Sequence, residues 1–155
     1  MALRNALRAW PPRETLRVAI AGSSENQTVW EAQFREVAGE VTFVGCIAGE
    51  GLRELYACAR IFVVPTLVNE GMGMIAAEAV ANSTPVCASD QAALRALREV
   101  IGDAVQLAAD TERLLSDPEY WQDLNTCAYG ARSKFSMQQY RENLSALVMK
   151  IECQY

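Results

Sequence analysis

Two glutamates flank a pair of glycines in the stretch NEGMGMIAAEAVANSTPVCASD, which covers residues 69–90. Glu70 precedes Gly71 and Gly73, and Glu78 follows them inside an apolar run with helical character. Glycine permits positive φ and lets the backbone approach a ligand closely. Because Gly73 stands where the helix should begin, free backbone N–H groups there would point outward at the positive end of the helix dipole. The spacing therefore predicts an anion site, with a ligand-free turn between strand and helix as the alternative.

The two carboxylates are better suited to sugar hydroxyls than to an anion. A carboxylate repels a phosphate, but it accepts hydrogen bonds from vicinal hydroxyls such as those of ribose or a hexose. Glu70 lies before the helix and Glu78 about one and a half turns into it, so the two acids would lie on either side of a phosphate bound at the helix N-terminus. For Glu78, the only charged residue in 71–81, the alternative is a salt bridge or a helix-capping role.

Short apolar runs alternate with helical patterns along the chain. The runs are continuous and rich in β-branched residues, as in strands that are buried on both faces of a parallel sheet. The predicted strands are 16–22, 41–45, 61–65 and 84–89, with a weaker one at 104–108. The predicted helices are 27–38, 50–59, 73–82, 91–99 and the tail 111–150, in which Ser116 or Asp117 caps a new helix and Pro118 occupies its first turn.

This alternation predicts an α/β fold, a three-layer Rossmann-like doubly wound parallel sheet that forms a single domain over 1–155. Ligands of such sheets bind at the carboxyl ends of the strands. The loops expected at that edge are 22–27, 45–50, 65–73 and 88–93.

The composition excludes several kinds of chemistry. The chain contains no histidine, which excludes Ser-His-Asp and Cys-His nucleophiles and His-bound zinc. Any chemistry must then come from carboxylates, backbone dipoles or a partner. The formal net charge of −5 argues against nucleic acid or an anionic membrane as the main partner. No apolar run approaches the ~18 residues that indicate a transmembrane segment.

The five cysteines have apolar neighbours and form no CxxC pair. This pattern favours scattered core thiols in a reducing, cytoplasmic compartment over a disulfide framework or a metal site. The basic opening MALRNALRAW is compatible with a mitochondrial transit peptide. However, Leu3, Leu7 and Trp10 share one helical face, which favours an ordinary helix.

The stretch PTLVNEGMGMIAAEAVANSTPVCAS, residues 65–89, resembles the signature of retaining glycosyltransferases of the large family-four type (group 1), which have the GT-B architecture. The segments LRVAIAGSSE and VTFVGCIAGEGLRELYACARIFVVPT are similar to those that precede this signature in the family. The resemblance covers nearly the whole chain. It implies the Rossmann-like C-terminal half of a GT-B glycosyltransferase, the half that binds the donor nucleotide sugar.

The resemblance also implies roles for individual residues. Glu70 corresponds to the catalytic glutamate that contacts the donor hexose, and Glu78 to the glutamate that binds the ribose hydroxyls. The positions at which backbone amides would meet the sugar and the diphosphate are Gly71, Met72, Gly73 and Met74. The positions implied beside the nucleotide and its base are Gly22, Cys46 and Ile47.

The chain departs from the family pattern in its basic residues and its extent. The family's C-terminal half normally begins with one more strand and helix, which carry an Arg and a Lys for the diphosphate, and its acceptor side comes from another domain. Both parts are expected to be missing from 1–155, and none of the four carboxyl-end loops contains a basic residue. We therefore expect the isolated chain to be inactive unless a separate N-terminal acceptor-binding half or self-association completes it.

Two functions remain open from the sequence. One is the donor-binding domain of a retaining glycosyltransferase, which transfers a hexosyl group from a nucleoside-diphosphate sugar to an acceptor hydroxyl without a metal or other cofactor. The other is a degenerate, non-catalytic module for nucleotide binding or interaction. A different Rossmann-like nucleotide binder is disfavoured because AGSSENQT lacks the GxGxxG fingerprint.

Overall fold

The computed structural model of the protein describes residues 16–23, 27–35, 39–66, 73–107, 111–139 and 141–142. Strands and helices alternate along these ranges. In chain order they are β1 (Arg17–Ala21), α1 (Gln27–Arg35), β2 (Glu40–Gly45), α2 (Gly49–Cys58), β3 (Phe62–Val64), α3 (Met74–Ala81), β4 (Val86–Ala88), α4 (Ala92–Ile101), β5 (Val105–Leu107), α5 (Thr111–Ser116) and α6 (Pro118–Ala131). The predicted α/β class and the order of its elements are confirmed. The predicted helix at 1–10 and the end of the tail lie outside the described residues.

The strands pair in parallel, as the sequence predicts, but they form two sheets. β1 pairs with β2, and β4 lies between β3 and β5 in a three-stranded sheet. The doubly wound pattern is preserved because every connection between paired strands runs through a helix. The expected single sheet is interrupted between β1 and β3, since within the described ranges neither strand pairs with the other.

The hydrophobic core surrounds the three-stranded sheet. Val86 and Ala88 of β4 belong to one buried cluster, which also contains residues of α3, α4 and α6. Cys87, between them, contacts a second cluster with Leu114 and Leu124 on the other side of the strand. Helices therefore cover both faces of β4, as the sequence predicts for a continuous apolar strand.

The first sheet does not meet the same expectation. Along β1 half-buried residues alternate with exposed ones, and of the described residues none before Tyr56 is fully buried. The prediction that all of these strands are buried on both faces is therefore wrong for β1 and β2. The physical reason is coverage: the buried residues of α3 to α6 pack around β3, β4 and β5.

Side chains and backbone at the helix ends explain where two of the helices begin and stop. Asp117 caps α6 by accepting a hydrogen bond from the Tyr120 N–H at 3.0 Å, with Pro118 in the first turn, as the sequence predicts. The Tyr120 bond, reinforced by Arg113, lowers the pKa of Asp117. After α3 the chain turns at Ser83, which adopts a left-handed φ of 68° although it is not glycine.

The cysteine prediction holds only in part. Cys87 is buried, as expected, and its sulfur lies 3.1 Å from the Thr111 hydroxyl oxygen, but Cys46, Cys58 and Cys127 are exposed thiols and therefore not core residues. Apolar sequence neighbours did not bury them: Cys46 lies in the loop after β2, and Cys58 and Cys127 lie at helix positions that face solvent. Cys153 is outside the described residues. In the ranges given above, no helix is both long and apolar enough to span a bilayer.

Candidate functional site

Gly73 begins α3 in a conformation that glycine adopts easily. Its φ is 61°, in the left-handed region, and its carbonyl accepts hydrogen bonds from the Ala76 and Ala77 N–H groups, both at 3.1 Å. A Cβ at this position would lie 3.1 Å from the Leu94 side chain. The predicted positive φ at the start of the helix is therefore confirmed for Gly73, while Gly71 lies outside the described residues.

The N-terminus of α3 presents backbone donors without a side-chain cap. No described side chain caps the helix, and Ala76 is the first residue whose N–H bonds within it. The N–H groups of Met74 and Ile75 precede that bond, where helices leave donors unsatisfied. The side chains of Met74 and Ile75 are 56% and 41% exposed. This end of α3 thus combines backbone donors that have no partner among the described residues, a positive helix dipole and an exposed apolar border.

Glu78 lies on α3, and its carboxylate is held by a tyrosine from α2. The Tyr56 hydroxyl donates to Oε2 of Glu78 at 3.3 Å, and the side chain of Glu78 remains exposed. Among the ion pairs of the described residues none includes Glu78. Glu78 also lies inside Met74–Ala81 rather than at its end. The salt-bridge and capping alternatives are therefore not supported.

The Tyr56 side chain is held in place by contacts other than its hydrogen bond to Glu78. Its ring is 5% exposed and packs edge-to-face on Phe62, with centroids 5.1 Å apart. Its carbonyl accepts a hydrogen bond from Thr84 Oγ1 at 2.6 Å, which ties α2 to the segment before β4. Burial raises the pKa of Tyr56 from 10.0 to about 12, and the charge of Glu78 and the bond to it add to this effect. The hydroxyl therefore stays protonated and donates to Glu78 at neutral pH.

The loops after β1 and β2 form a second group of predicted residues. The Gly22 N–H donates to the Gly45 carbonyl at 2.8 Å, and both glycines have positive φ, 115° and 67°. Cys46, which follows Gly45, is exposed, and Ile47 is half-buried. The structure thus joins Gly22 to the loop of Cys46 and Ile47, as expected for parallel strands that end at one edge.

Ser89 joins the loops that follow β3 and β4. Its N–H donates to the Val64 carbonyl at 3.0 Å, and its hydroxyl donates to the Thr66 carbonyl. Ser89 thereby ties the carboxyl end of β3 to that of β4. Glu70, Gly71 and Met72 belong to that segment and lie outside the described residues.

Basic residues near this edge are engaged with acids. Arg53 pairs with Glu50, and Arg95 pairs with Asp90 at 3.3 Å. Both arginines follow carboxyl-end loops and are more than half exposed. Exposed pairs of this kind contribute about 0–1 kcal/mol, so the paired carboxylates would compete only weakly with a phosphate for these two arginines.

Sequence reasoning identified Gly73, Met74 and Glu78 on one helix but missed Tyr56. One signal could have found it, because Leu52 and Tyr56 are four residues apart and share a face of α2. A tyrosine on a buried face needs a partner for its hydroxyl, and a lone glutamate on a nearby apolar helix is a suitable one.

Fold and site together define a doubly wound α/β domain in which one helix has an N-terminus without a side-chain cap and, further along, a carboxylate held by a tyrosine. The sequence matches the family model of the group 1 glycosyl transferases over residues 2–117. The chain therefore belongs to the group 1 glycosyltransferase family, as its resemblance to family-four enzymes of the GT-B type implied.

Two relatives show how much of such a protein the chain represents. An uncharacterized glycosyltransferase of Methanocaldococcus jannaschii is 33% identical over 124 residues, which are 72% of this chain and 32% of that protein. The O-antigen chain mannosyltransferase B of Escherichia coli is 36% identical over 81 residues, 52% of this chain and 20% of that protein. The match spans only about a third or less of each relative's length.

Proposed function

We propose that this chain is the donor-binding domain of a retaining glycosyltransferase, which transfers a hexosyl group from a nucleoside-diphosphate sugar to an acceptor hydroxyl. The observation that carries the proposal is the arrangement on α3: an uncapped N-terminus at Gly73 and, about one and a half turns later, the exposed carboxylate of Glu78. Membership of the group 1 family supports it. The name of the E. coli relative, a mannosyltransferase, supports a hexose as the transferred group.

The two parts of α3 would bind different parts of the donor. The N–H groups of Met74 and Ile75 and the helix dipole would bind the diphosphate. Tyr56 occupies Oε2 of Glu78. The second oxygen, Oε1, would accept hydrogen bonds from the ribose hydroxyls. Because both groups are carried by one short helix, their spacing is fixed before the ligand arrives.

The other predicted residues complete this binding mode. Glu70, which precedes α3, would contact the donor hexose as the catalytic carboxylate, and the amides of Gly71 and Met72 would extend the phosphate site toward it. The loops joined by the bond between Gly22 and Gly45 would receive the nucleotide, with its base beside Cys46 and Ile47.

The reaction would proceed without a metal ion or another cofactor. Helix amides and dipole would contribute about 1–2 kcal/mol to stabilising the diphosphate leaving group. The phosphate itself could take the proton of the incoming hydroxyl on the same face of the sugar, which gives retention at the anomeric carbon. The acceptor would be held by polypeptide beyond this domain. Free exposed thiols favour a reducing compartment, and we place the protein in the cytoplasm on that ground.

A second candidate function is a non-catalytic module that keeps the fold and its nucleotide site. The specific observation in its favour is the lack of Lys and Arg in the four carboxyl-end loops. A transferase with such loops must obtain a cation for the leaving group from an ion-paired arginine or from another part of the enzyme.

Nucleotide titration tests the binding site. The protein should bind nucleoside diphosphates, and Glu78→Gln should weaken binding about tenfold or more, because loss of a charge-assisted hydrogen bond costs about 1.5–3 kcal/mol. Glu99→Gln, which changes an exposed glutamate on α4, is the matched control and should bind like the parent chain. Calorimetric titration gives the dissociation constants of all three proteins. Equal affinity in all three proteins would assign Glu78 a structural role.

An activity assay separates the two candidate functions. The purified chain is incubated with several nucleotide sugars, alone and with candidate acceptor-binding halves, and nucleotide release is followed. The lone chain should show no transfer, because each missing charge stabiliser costs about 3 kcal/mol and the acceptor is not positioned. Release that appears only after mixing supports the transferase. If no nucleotide is released by the chain alone or by the mixture, the non-catalytic module is supported. Turnover by the chain alone contradicts the expected dependence on a second half.

A further inference from the structure

The hydrogen bond between Tyr56 and Glu78 joins a buried side chain to an exposed one. Tyr56 is 5% exposed, whereas Glu78, to which its hydroxyl donates at 3.3 Å, is exposed on α3. An exposed glutamate ordinarily exchanges between several rotamers, and holding it in one of them costs side-chain entropy. Because the core already orders the tyrosine, the bond acts mainly on the glutamate.

Two contacts hold Tyr56 without its hydroxyl. Its ring packs edge-to-face on Phe62, and its carbonyl accepts from the Thr84 hydroxyl at 2.6 Å. Thr84 is itself buried, and its N–H donates to the Ala79 carbonyl of α3 at 3.0 Å. The backbone of Tyr56 is thereby linked to the helix that carries Glu78. A hydroxyl held in this way keeps its place when the carboxylate moves, so it favours one orientation of that carboxylate.

Tyr56 is the only polar partner of the Glu78 carboxylate among the described residues. Asn82, one turn further along, donates its side-chain N–H to the Glu78 backbone carbonyl at 2.8 Å and not to the carboxylate. Tyr56 uses Oε2, which leaves Oε1 for a ligand. Because the tyrosine is neutral, Oε1 remains a charged acceptor for a hydroxyl group.

The place of Glu78 on α3 suits the ribose of a nucleotide. Met74 begins α3 and Glu78 follows one turn later, about 6 Å along the helix axis. In a nucleoside diphosphate the ribose separates the phosphates from the 2′- and 3′-hydroxyls by a similar span. A diphosphate bound at the N–H groups of Met74 and Ile75 would therefore bring both hydroxyls near Glu78. A 2′-deoxyribose offers the carboxylate one donor fewer.

We propose that Tyr56 is a positioning residue for Glu78 and that, through Glu78, it makes the chain select ribonucleotides over 2′-deoxyribonucleotides. Tyr56 does not touch the ligand; its hydroxyl holds the carboxylate so that Oε1 faces the ribose. The inference rests on the proposed function and narrows it, since the donor is then a nucleotide sugar that carries ribose. The observation that carries it is the bond from a core tyrosine to an exposed carboxylate that has no other described partner.

Paired nucleotides test the inference. The chain is titrated calorimetrically with ADP, GDP and UDP and with the 2′-deoxy form of each, and the ratio of the deoxy to the ribo dissociation constant is taken for each base. The parent ratio should be about tenfold or more, because the deoxy form loses a hydrogen bond to a charged group. Tyr56→Phe removes only the hydroxyl. It should weaken the ribo form more than the deoxy form and lower the ratio to about threefold or less.

A double variant shows whether the two residues act together. Glu78→Gln should lower the ratio as Tyr56→Phe does, and combining the two changes should lower it no further, because residues that act as one unit are not additive. Tyr129→Phe, at a 65% exposed site on α6, is the matched control and should keep the parent ratio.

A second route to the same contact covers a Tyr56→Phe variant that does not fold, as judged by urea denaturation. Glu78→Asp shortens an exposed side chain, so it withdraws the carboxylate from Tyr56 while keeping its charge. The ratio should fall in this variant as well. A ratio that stays at the parent value would contradict the inference.

The outcomes separate this inference from the proposed function. A parent ratio near one would overturn it, and so would a Tyr56→Phe variant that weakens the ribo and deoxy forms equally, as a purely structural tyrosine would. If binding depends on Glu78 but Tyr56→Phe keeps the parent ratio, the donor site stands and this inference alone fails. If no nucleoside diphosphate binds, the donor site and the inference both fail.

Discussion

Glu78 is oriented by a neutral donor rather than by a cation. A lysine or arginine in the place of Tyr56 would neutralise the carboxylate and compete with a ligand for it. The Tyr56 hydroxyl instead holds Oε2 at 3.3 Å and leaves the negative charge intact. Because the tyrosine ring is fixed on Phe62, the orientation of Glu78 depends on the core rather than on surface contacts. A carboxylate oriented in this way can accept hydrogen bonds from the hydroxyl groups of a ligand.

Tyr56 gives the protein a measurable pH dependence. Its pKa is raised from 10.0 to about 12 in the folded protein, so the unfolded chain loses this proton first as the pH rises. The stabilisation is therefore complete below pH 10 and is lost progressively as the pH approaches 12. Tyr56→Phe should show a shallower fall in the free energy of unfolding across this range, as measured by urea denaturation. Tyr129→Phe, at a 65% exposed site, should keep the parent slope; equal slopes in both variants would contradict the assignment.

Residue spacing could predict part of the site but not all of it. Gly73 and Glu78 are close in sequence, so helix geometry alone places them together. Tyr56 and Glu78 are 22 residues apart and lie on different helices. Their bond forms because α2 and α3 both pack around β3 and β4. The hydrophobic periodicity of the sequence predicts each helix, but it does not predict which helices are neighbours. Cys46 shows the same limit, since its apolar neighbours predicted burial and the structure exposes it.

Helix α3 owes its position to small residues and to the turns at its ends. Ala76, Ala79 and Val80 are fully buried, which lets the helix lie close to the sheet and to α6. Gly73 starts the helix and Ser83 turns the chain after it, both with positive φ. The sequence predicted this helix within one residue at each end because the glycines and the NST segment interrupt an otherwise continuous apolar run.

The start of α3 should tolerate no side chain. Gly73→Ala places a Cβ 3.1 Å from Leu94 in a left-handed conformation, and that conformation alone costs about 1–2 kcal/mol for a non-glycine residue. Gly130→Ala is the matched control, because Gly130 lies in α6 with no atom near its Cβ position. It should stabilise the protein by about 0.5–1 kcal/mol. Urea denaturation measures the change in the free energy of unfolding, which should be a loss for Gly73→Ala and a gain for Gly130→Ala. A neutral or stabilising Gly73→Ala would refute the requirement for glycine.

The part of the molecule that the structure describes is unevenly packed. The parallel direction of the strands and the order of the elements along the chain could be predicted from sequence because apolar runs and helical periods alternate regularly. The burial of each strand could not, because β1 and β4 are similarly apolar, yet among the residues that the structure describes only β4 has buried helix residues on both faces. The number of helices that pack against each sheet depends on the tertiary structure, so it cannot be predicted from the sequence of a single strand.

Equivalent substitutions in the two sheets should therefore have unequal effects. Val86 in β4 is fully buried at 0% exposure, so Val86→Ala loses transfer free energy and leaves a cavity, at a cost of about 2–3 kcal/mol. Val18 in β1 is only half-buried, and Val18→Ala should cost about 1 kcal/mol or less, since less surface returns to water. Both free energies of unfolding are measured by urea denaturation under one set of conditions. Comparable losses at the two valines would mean that the first sheet is packed as tightly as the second.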